Sequence, residues 1–306
     1  MSFNLYFAGT QNDIAEQLML DNNCCRLYSQ LNDRKRGETW INYCREIEPR
    51  TIFVDSGAYS AWSIGTVIDT DEYIEYLNKN SDAFTAFACV DNIPGELTRK
   101  PTLQERKESP IHTWENYLYM RERINEKDKL IPTFHAGEDL KHLSNLLEVK
   151  LDNKHIPYIA LGGTVGTPVN YKKKWYSTCF KVINESSNPN VKVHAFGMTS
   201  LDVLESYPFY SADSTSWIMT AANGSIMTSY GTIVVSKQGV DKPNYIGKLP
   251  IPIQHNIQSE VQQWGTTVEE CAEDYKMRTV VNISYLQNWA NNYIFKGNNR
   301  YQKTLF

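Results

Sequence analysis

Cysteine is scarce in this sequence, and the spacing of its cysteines argues against a fold stabilised by disulfides or by structural zinc. Six cysteines occur in 306 residues, with no Cys-x-x-Cys pair and no Cys/His cluster at zinc-site spacing. Two of them, Cys24 and Cys25, are adjacent, an arrangement poorly suited to two structural disulfides. We therefore expect reduced thiols, no metal or other cofactor, and a cytoplasmic protein.

Long apolar runs are also missing. No 18 consecutive residues are apolar, and residues 1–10 lack the basic start and apolar core of a secretory leader. The sequence therefore predicts no contact with a membrane and no export. Hydrophobic residues make up 41% of the chain and charged residues 22%, which favours a globular protein over a disordered one. We expect residues 1–306 to form a single domain.

Acidic residues are absent from positions 275–306, although the whole chain carries a net charge of −4. This aromatic-rich tail has five basic residues, whereas residues 1–98 have 15 acidic and seven basic ones. The tail fits either a helix with a solvated basic face or a contact for phosphates. The same two interpretations hold for Lys172, Lys173 and Lys174. The acidic first third is compatible with a partner protein.

Short apolar runs alternate with segments of helical periodicity along the chain. This alternation predicts an α/β fold, either a (β/α)8 TIM-type barrel or a doubly wound sheet. A C-terminal helical segment is predicted over residues 268–295. We favour the barrel because distinctive polar residues follow the apolar runs, and a barrel brings all strand ends to one mouth. The predicted strands cover residues 4–8, 51–54, 83–90, 130–134, 158–161, 191–193 and 209–212, with 232–235 as an eighth candidate.

Aspartates follow three of these predicted strands, at Asp55, Asp91 and Asp213. Each could simply cap a helix. Two carboxylates at one barrel mouth could instead act on the acetal carbon of a sugar, one attacking it and the other moving a proton. An ionised aspartate can also accept hydrogen bonds from a nucleobase. The backbone at Gly162 and Gly163 could approach such a flat base closely, because glycine has no Cβ.

Five short segments, in order, resemble the tRNA-guanine transglycosylase superfamily and its phage and bacterial DNA-modifying relatives. They are FVDSGAY at 53–59, FACVD at 87–91, LGG at 161–163, VHAFG at 193–197 and SADS at 211–214. The resemblance implies a barrel enzyme that exchanges guanine for a 7-deazaguanine through a covalent aspartyl-glycosyl intermediate. Asp213 would be the nucleophile and Asp55 the general acid and base. The candidates for base binding are Ser56, Asp91, His135, Gly162, Gly163 and His194.

Two departures from the family pattern shape these expectations. The tRNA enzymes have Gln-Gly-Gly where this chain has the run 135–138, so His135 is predicted to replace a glutamine contact. They also carry a zinc site that supports tRNA docking, whereas Cys271 is the only cysteine in the last 100 residues. These departures from the family pattern predict that the zinc site is absent. We therefore expect DNA, rather than tRNA, and a preQ0-type base as substrates.

Several alternatives stay open at this stage. His135 and His194 could each be a buried, hydrogen-bonded histidine with no substrate contact. The rival functions are base exchange on tRNA, a barrel nucleosidase that uses water, and a catalytically silent barrel that binds nucleic acid.

Overall fold

A computed structural model describes residues 3–9, 12–96 and 98–297 and contains one large parallel sheet with helices around it. The strands are β1 (Asn4–Phe7), β2 (Cys25–Ser29), β3 (Ile52–Asp55), β4 (Ala86–Ala88), β5 (Leu130–Ile131), β6 (Thr133–His135), β7 (Lys150–Leu151), β8 (Lys154–His155), β9 (Tyr158–Gly162), β10 (Lys192–Ala195), β11 (Ser211–Ser214), β12 (Ser225–Thr228) and β13 (Gly231–Val234). The helices are α1 (Asp13–Asp21), α2 (Arg34–Glu46), α3 (Ala58–Ile64), α4 (Thr70–Lys79), α5 (Leu103–Arg123), α6 (Leu140–Glu148), α7 (Val169–Glu185), α8 (Leu201–Ser206), α9 (Ser216–Ala222), α10 (Ile251–Gln262), α11 (Val268–Glu273) and α12 (Tyr275–Asn291).

The large sheet curls into a nearly closed barrel. Its strand order is β5-β4-β3-β2-β1-β11-β10-β9-β6, and every pairing is parallel. The two ends of this order, β5 and β6, are consecutive in the chain and separated only by Pro132. Proline has no N–H to give to a ladder, but the Pro132 carbonyl accepts the Ala160 N–H at 2.9 Å. The α/β prediction and a barrel-like parallel sheet are confirmed at this level.

The prediction of individual strands was wrong in two places. β2 was not predicted, because the charged Arg26 interrupts its apolar run. Arg26 is nevertheless buried, since its guanidinium bonds Glu16 at 3.0 Å and the carbonyl of Phe7 at 2.6 Å. Residues 232–235 do not supply the eighth barrel strand. They overlap β13, which pairs antiparallel with β12 in a separate two-stranded sheet.

Side chains alternate between the inside of the barrel and the layer under the helices. The inside cluster is small and includes Tyr6, Phe53, Ala88, Ile131 and Ala160. A much larger apolar cluster joins the outer face of the sheet to the helices. The helices therefore anchor the outer face, while the inward positions at the carboxyl ends of the strands can carry polar groups.

Helix α5 positions the loop that follows β4. The apolar periodicity of the sequence favours a helix from Ser109, but α5 begins at Leu103, because Thr102 and Glu105 form a reciprocal capping box. The Ser109 hydroxyl then donates to the carbonyl of Asn92 at 2.5 Å. This contact fixes the loop that follows β4 against helix α5.

A satellite core of hairpin β12–β13 and helices α10 to α12 adjoins the barrel. The fully buried Asn282 of α12 donates to the carbonyl of Trp217 and accepts the Met227 N–H at 2.7 Å. The guanidinium of Arg278 donates to the carbonyl of Ala221 at 2.8 Å. Helix α12 thus fastens the satellite core to the short helix α9.

Candidate active site

Three aspartates and a histidine lie at the carboxyl ends of the parallel strands. Asp55 ends β3, His135 ends β6, Asp213 lies in β11, and Asp91 follows β4 by three residues. His135 directly contacts Asp91, and the negative charges of Asp91 and Asp213 both act on the carboxyl group of Asp55. The sequence-predicted residues are therefore brought to one end of the barrel.

Asp55 has the weakest hydrogen-bond support of the three aspartates. Its Oδ2 accepts the Gly57 N–H at 3.0 Å. Gly57 has φ +83°, and a Cβ there would lie 2.7 Å from a Leu31 carbon, so the tight turn requires glycine. Burial, together with the charges of Asp91 and Asp213, raises the pKa of Asp55 to about 7 against the opposing effect of the Gly57 and Ser56 N–H groups. This carboxyl group can therefore exchange a proton near neutral pH.

Asp91 shares His135 with a second carboxylate, Glu138. Nε2 of His135 lies 3.2 Å from Oδ2 of Asp91, and Nδ1 lies 3.1 Å from Oε1 of Glu138. Burial lowers the pKa of His135, but the two carboxylates outweigh it and raise the pKa to about 10. The imidazolium donates both of its N–H groups to protein, so neither is left to replace a glutamine contact to a base.

Asp213 does not cap the helix that follows it. The residue at the start of α9 is Thr215, and the Ser216 N–H is bonded by the hydroxyl of Ser214. Oδ1 of Asp213 instead accepts the Gly197 N–H at 2.8 Å and lies 3.2 Å from Nε2 of His194. Only 7% of Asp213 is exposed. These contacts give the carboxylate one fixed orientation.

Gly162 and Gly163 let β6 approach β9 closely. A Cβ on Gly162 would lie 3.1 Å from the His135 ring, and one on Gly163 would lie 3.0 Å from the Ala136 nitrogen. Gly163 also has φ +78°. Both glycines thus already serve a protein contact, and their contact with a base stays a prediction.

The remaining predicted base-binding residues are enclosed. Ser56 is 1% exposed, and its hydroxyl accepts the Ala58 N–H at 3.4 Å. His194 is completely buried inside the barrel, so the alternative of a buried, hydrogen-bonded histidine describes its position.

Most of the predicted basic contacts among the described residues are buried or paired. Lys172 is buried, Lys173 pairs with Asp202 at 2.5 Å, and Lys174 is exposed. In the C-terminal segment, Lys296 pairs with Glu205, while Arg300 and Lys303 lie outside the described residues. Contact between these lysines and phosphates stays a prediction, with Lys174 the best placed of the three.

Sequence reasoning did not assign site roles to four residues that contact the site: Glu138, Tyr158, Gly197 and Ser211. Ser211 could have been found, because it lies two residues before Asp213 on the same face of a strand. By its position in the sequence Glu138 could cap the following helix, but the residue that caps α6 is Asp139. Tyr158 and Gly197 carry no local signal for these contacts.

No family model matches the chain, and a search of curated proteins finds no similar sequence. Over the described ranges, no group of three or more His, Cys, Asp or Glu side chains is arranged to hold a metal ion. None of the helices in that part of the chain is long and apolar enough to cross a membrane.

Proposed function

We propose that this protein is a DNA-guanine transglycosylase built on a (β/α)8 TIM-type barrel, in which β5 and β6 count as one strand. It would exchange guanine in DNA for a preQ0-type 7-deazaguanine in the cytoplasm. The observation that carries the proposal is the pairing of a carboxyl of pKa about 7, Asp55, with the oriented carboxylate of Asp213. One group can move a proton at neutral pH while the other attacks.

The reaction would have two steps. Oδ2 of Asp213 bonds to C1′ of the deoxyribose, and the C1′–N9 bond breaks with its electron pair going to guanine. Protonated Asp55 gives its proton to the leaving base. The entering base then gives its N9 proton to Asp55 and bonds to C1′, while the ester bond returns its electron pair to Asp213.

Asp91 would recognise the base. The His135 imidazolium occupies one of its oxygens, Oδ2, and leaves Asp91 able to accept N–H groups of the base through its other lone pairs. The target nucleotide would have to leave the DNA stack to reach these residues. Bases modified in this way would protect phage DNA from restriction enzymes.

The deciding experiment supplies labelled 7-deazaguanine and measures its incorporation into DNA and into tRNA, with nucleoside mass spectrometry. We expect label in DNA with the wild-type protein. Replacement Asp213→Ala should abolish both incorporation and any covalent adduct, a loss of at least about 10⁴-fold. Glu122→Gln, an exposed carboxylate on α5, is the matched control and should keep full activity.

Each rival function predicts a different result. Label only in tRNA would move the substrate to RNA, and release of guanine without incorporation would indicate a nucleosidase. Binding of nucleic acid with neither release nor incorporation would indicate a catalytically silent barrel. Normal exchange by Asp213→Asn would refute the nucleophile.

A further inference from the structure

A chain of hydrogen bonds runs beneath Asp213 into the barrel. Nε2 of His194 lies 3.2 Å from Oδ1 of Asp213, and Nδ1 lies 2.6 Å from the Ser211 hydroxyl. The Ser211 hydroxyl in turn bonds the hydroxyl of Tyr158. His194 and Ser211 are completely buried, and Tyr158 is 7% exposed. Strands β9, β10 and β11 thus each contribute to one closed network.

The partners determine which way each hydrogen bond points. An ionised Asp213 can only accept, so Nε2 of His194 must donate to it. In a neutral imidazole Nδ1 is then an acceptor, and the Ser211 hydroxyl donates to it. The Ser211 oxygen can accept from Tyr158 in turn. With this assignment every group in the network has a partner, and no second charge is needed.

Aromatic rings hold the imidazole in place. Phe53 and Phe196 lie 4.7 and 4.6 Å from the His194 ring, and Tyr6 lies at 5.9 Å. None of these rings is hydrogen-bonded to His194, whose polar partners are Ser211 and Asp213. The side chain therefore has one orientation, with Nε2 directed at Asp213.

The two oxygens of Asp213 differ as a result. Oδ1 is engaged by Gly197 and His194, whereas no described residue donates a hydrogen bond to Oδ2. A carboxylate held by one oxygen presents the other in a fixed direction. The same donors face the carbonyl oxygen of the ester once Oδ2 has bonded to C1′, and they stabilise the carboxylate when that bond breaks.

We infer that His194 is a positioning residue for the nucleophile, and that Ser211 and Tyr158 fix its tautomer. The inference rests on the proposed function and gives His194 a role other than the base contact predicted from the sequence. His194 would act on the rate of both displacement steps through Asp213, without touching the base or the sugar.

The kinetic test compares two replacements of His194. His194→Phe keeps a ring but removes the donor, and we expect the first-step rate to fall about 100-fold with an unchanged KM for the base. His194→Gln places an amide N–H near Oδ1 and should recover about tenfold of that loss. His255→Phe is the matched control, because His255 is exposed on α10 and lies outside the site, so this change should not alter the rate.

Unchanged first-step rates in His194→Phe would overturn the inference while leaving the proposed function intact. Continued exchange by Asp213→Ala would overturn the proposed function itself. Should His194→Phe fail to fold, Ser211→Ala removes only the hydroxyl behind the imidazole and should slow the first step about tenfold.

A measurement independent of activity uses long-range ¹H–¹⁵N NMR correlations of the His194 ring. We expect the Nε2–H tautomer in the wild-type protein and a weaker preference for it in Asp213→Leu. The Nδ1–H tautomer in the wild-type protein would overturn the inference, whatever the enzyme does to nucleic acid.

Discussion

Two histidines contact aspartates at the same end of the sheet, and both contacts measure 3.2 Å. His194 faces Asp213, and His135 faces Asp91. Behind His194 lies the hydroxyl of Ser211, whereas behind His135 lies the carboxylate of Glu138. The first pair is also more deeply buried than the second.

The group behind each histidine decides what the histidine can do for its aspartate. A hydroxyl can donate to Nδ1, so a neutral imidazole satisfies both neighbours. A carboxylate can only accept, so a histidine between two carboxylates must carry two N–H groups and a charge. The pKa of about 10 for His135 follows from this arrangement.

Asp55 extends the comparison, because no histidine contacts it. Its backbone donors, Gly57 and Ser56, do not offset burial and the nearby charges, so its pKa is about 7. Three carboxylates thus have three environments: one faces an imidazolium, one is held by neutral donors, and one retains a proton near neutral pH. Chemically equal groups in different environments can take different roles, which in the proposed reaction are proton transfer by Asp55, attack by Asp213 and base recognition by Asp91.

The largest expected difference between the two histidines is in the stability that is lost when each one is replaced by leucine. His135→Leu leaves Asp91 and Glu138 with no cation between them and should lower the unfolding free energy by about 3 kcal/mol at pH 7. His194→Leu removes one donor from an aspartate that keeps Gly197 and should cost about 1.5 kcal/mol. Urea denaturation of both variants measures the difference.

The double variant with His135→Leu and Glu138→Leu is the control, because it removes one of the two facing charges. It should recover much of the stability lost in His135→Leu. Equal losses for the two histidines would mean that His135 carries no charge in the folded protein.

Much of the barrel was predictable from the sequence, and the errors in the strand prediction have physical causes. Most strands are apolar runs, and the polar residues after them lie at one end, as the pattern predicted. Strand β2 was not predicted, because Arg26, which is paired with Glu16, places a charged residue inside a buried strand. Strand β13 has the same local pattern as a barrel strand, and only its antiparallel partner β12 places it elsewhere.

The site was predictable in its carboxylates but not in their partners. Asp55, Asp91 and Asp213 are marked by their position after a strand. The partners Ser211 and Gly197 depend on the register between β10 and β11, which pairs His194 with Ser211. Register is a tertiary property, so local sequence could place His194 near the site without showing which way its ring points.

The pH dependence of base release tests the proposed role of Asp55, the carboxylate that no histidine contacts. In the proposed reaction, release requires protonated Asp55, whose pKa is raised to about 7, so the protonated fraction falls about tenfold per pH unit well above pH 7. The single-turnover rate of guanine release should therefore be about 50-fold lower at pH 9 than at pH 7, where about half of Asp55 is protonated.

Asp55→Asn is the companion variant, since an amide cannot deliver the proton. Its slow release should show no inflection near pH 7. A wild-type rate that is flat from pH 6 to 9 would assign the proton to another group.

The smallest expected effect is on stability, and it comes from neutralising Glu138, the carboxylate that contacts Nδ1 of His135. Because the folded-state pKa of His135 is raised, its contribution to stability is complete below about pH 6.5 and is lost as pH rises through about 10. Glu138→Gln removes one of the two charges that raise this pKa, so the loss should occur at lower pH. The variant should be about 1.5 kcal/mol less stable than wild type at pH 6.5, and this gap should shrink towards pH 10.

Urea denaturation at pH 6.5, 8 and 10 checks this expectation, and NMR titration follows the His135 ring directly. The hydrogen-bond network around His194 does not include Glu138, so the His194 resonances should stay unchanged in the same spectra. A shift of His194 as large as that of His135 would show that the two pairs titrate as one coupled system, and the contrast between them would fail.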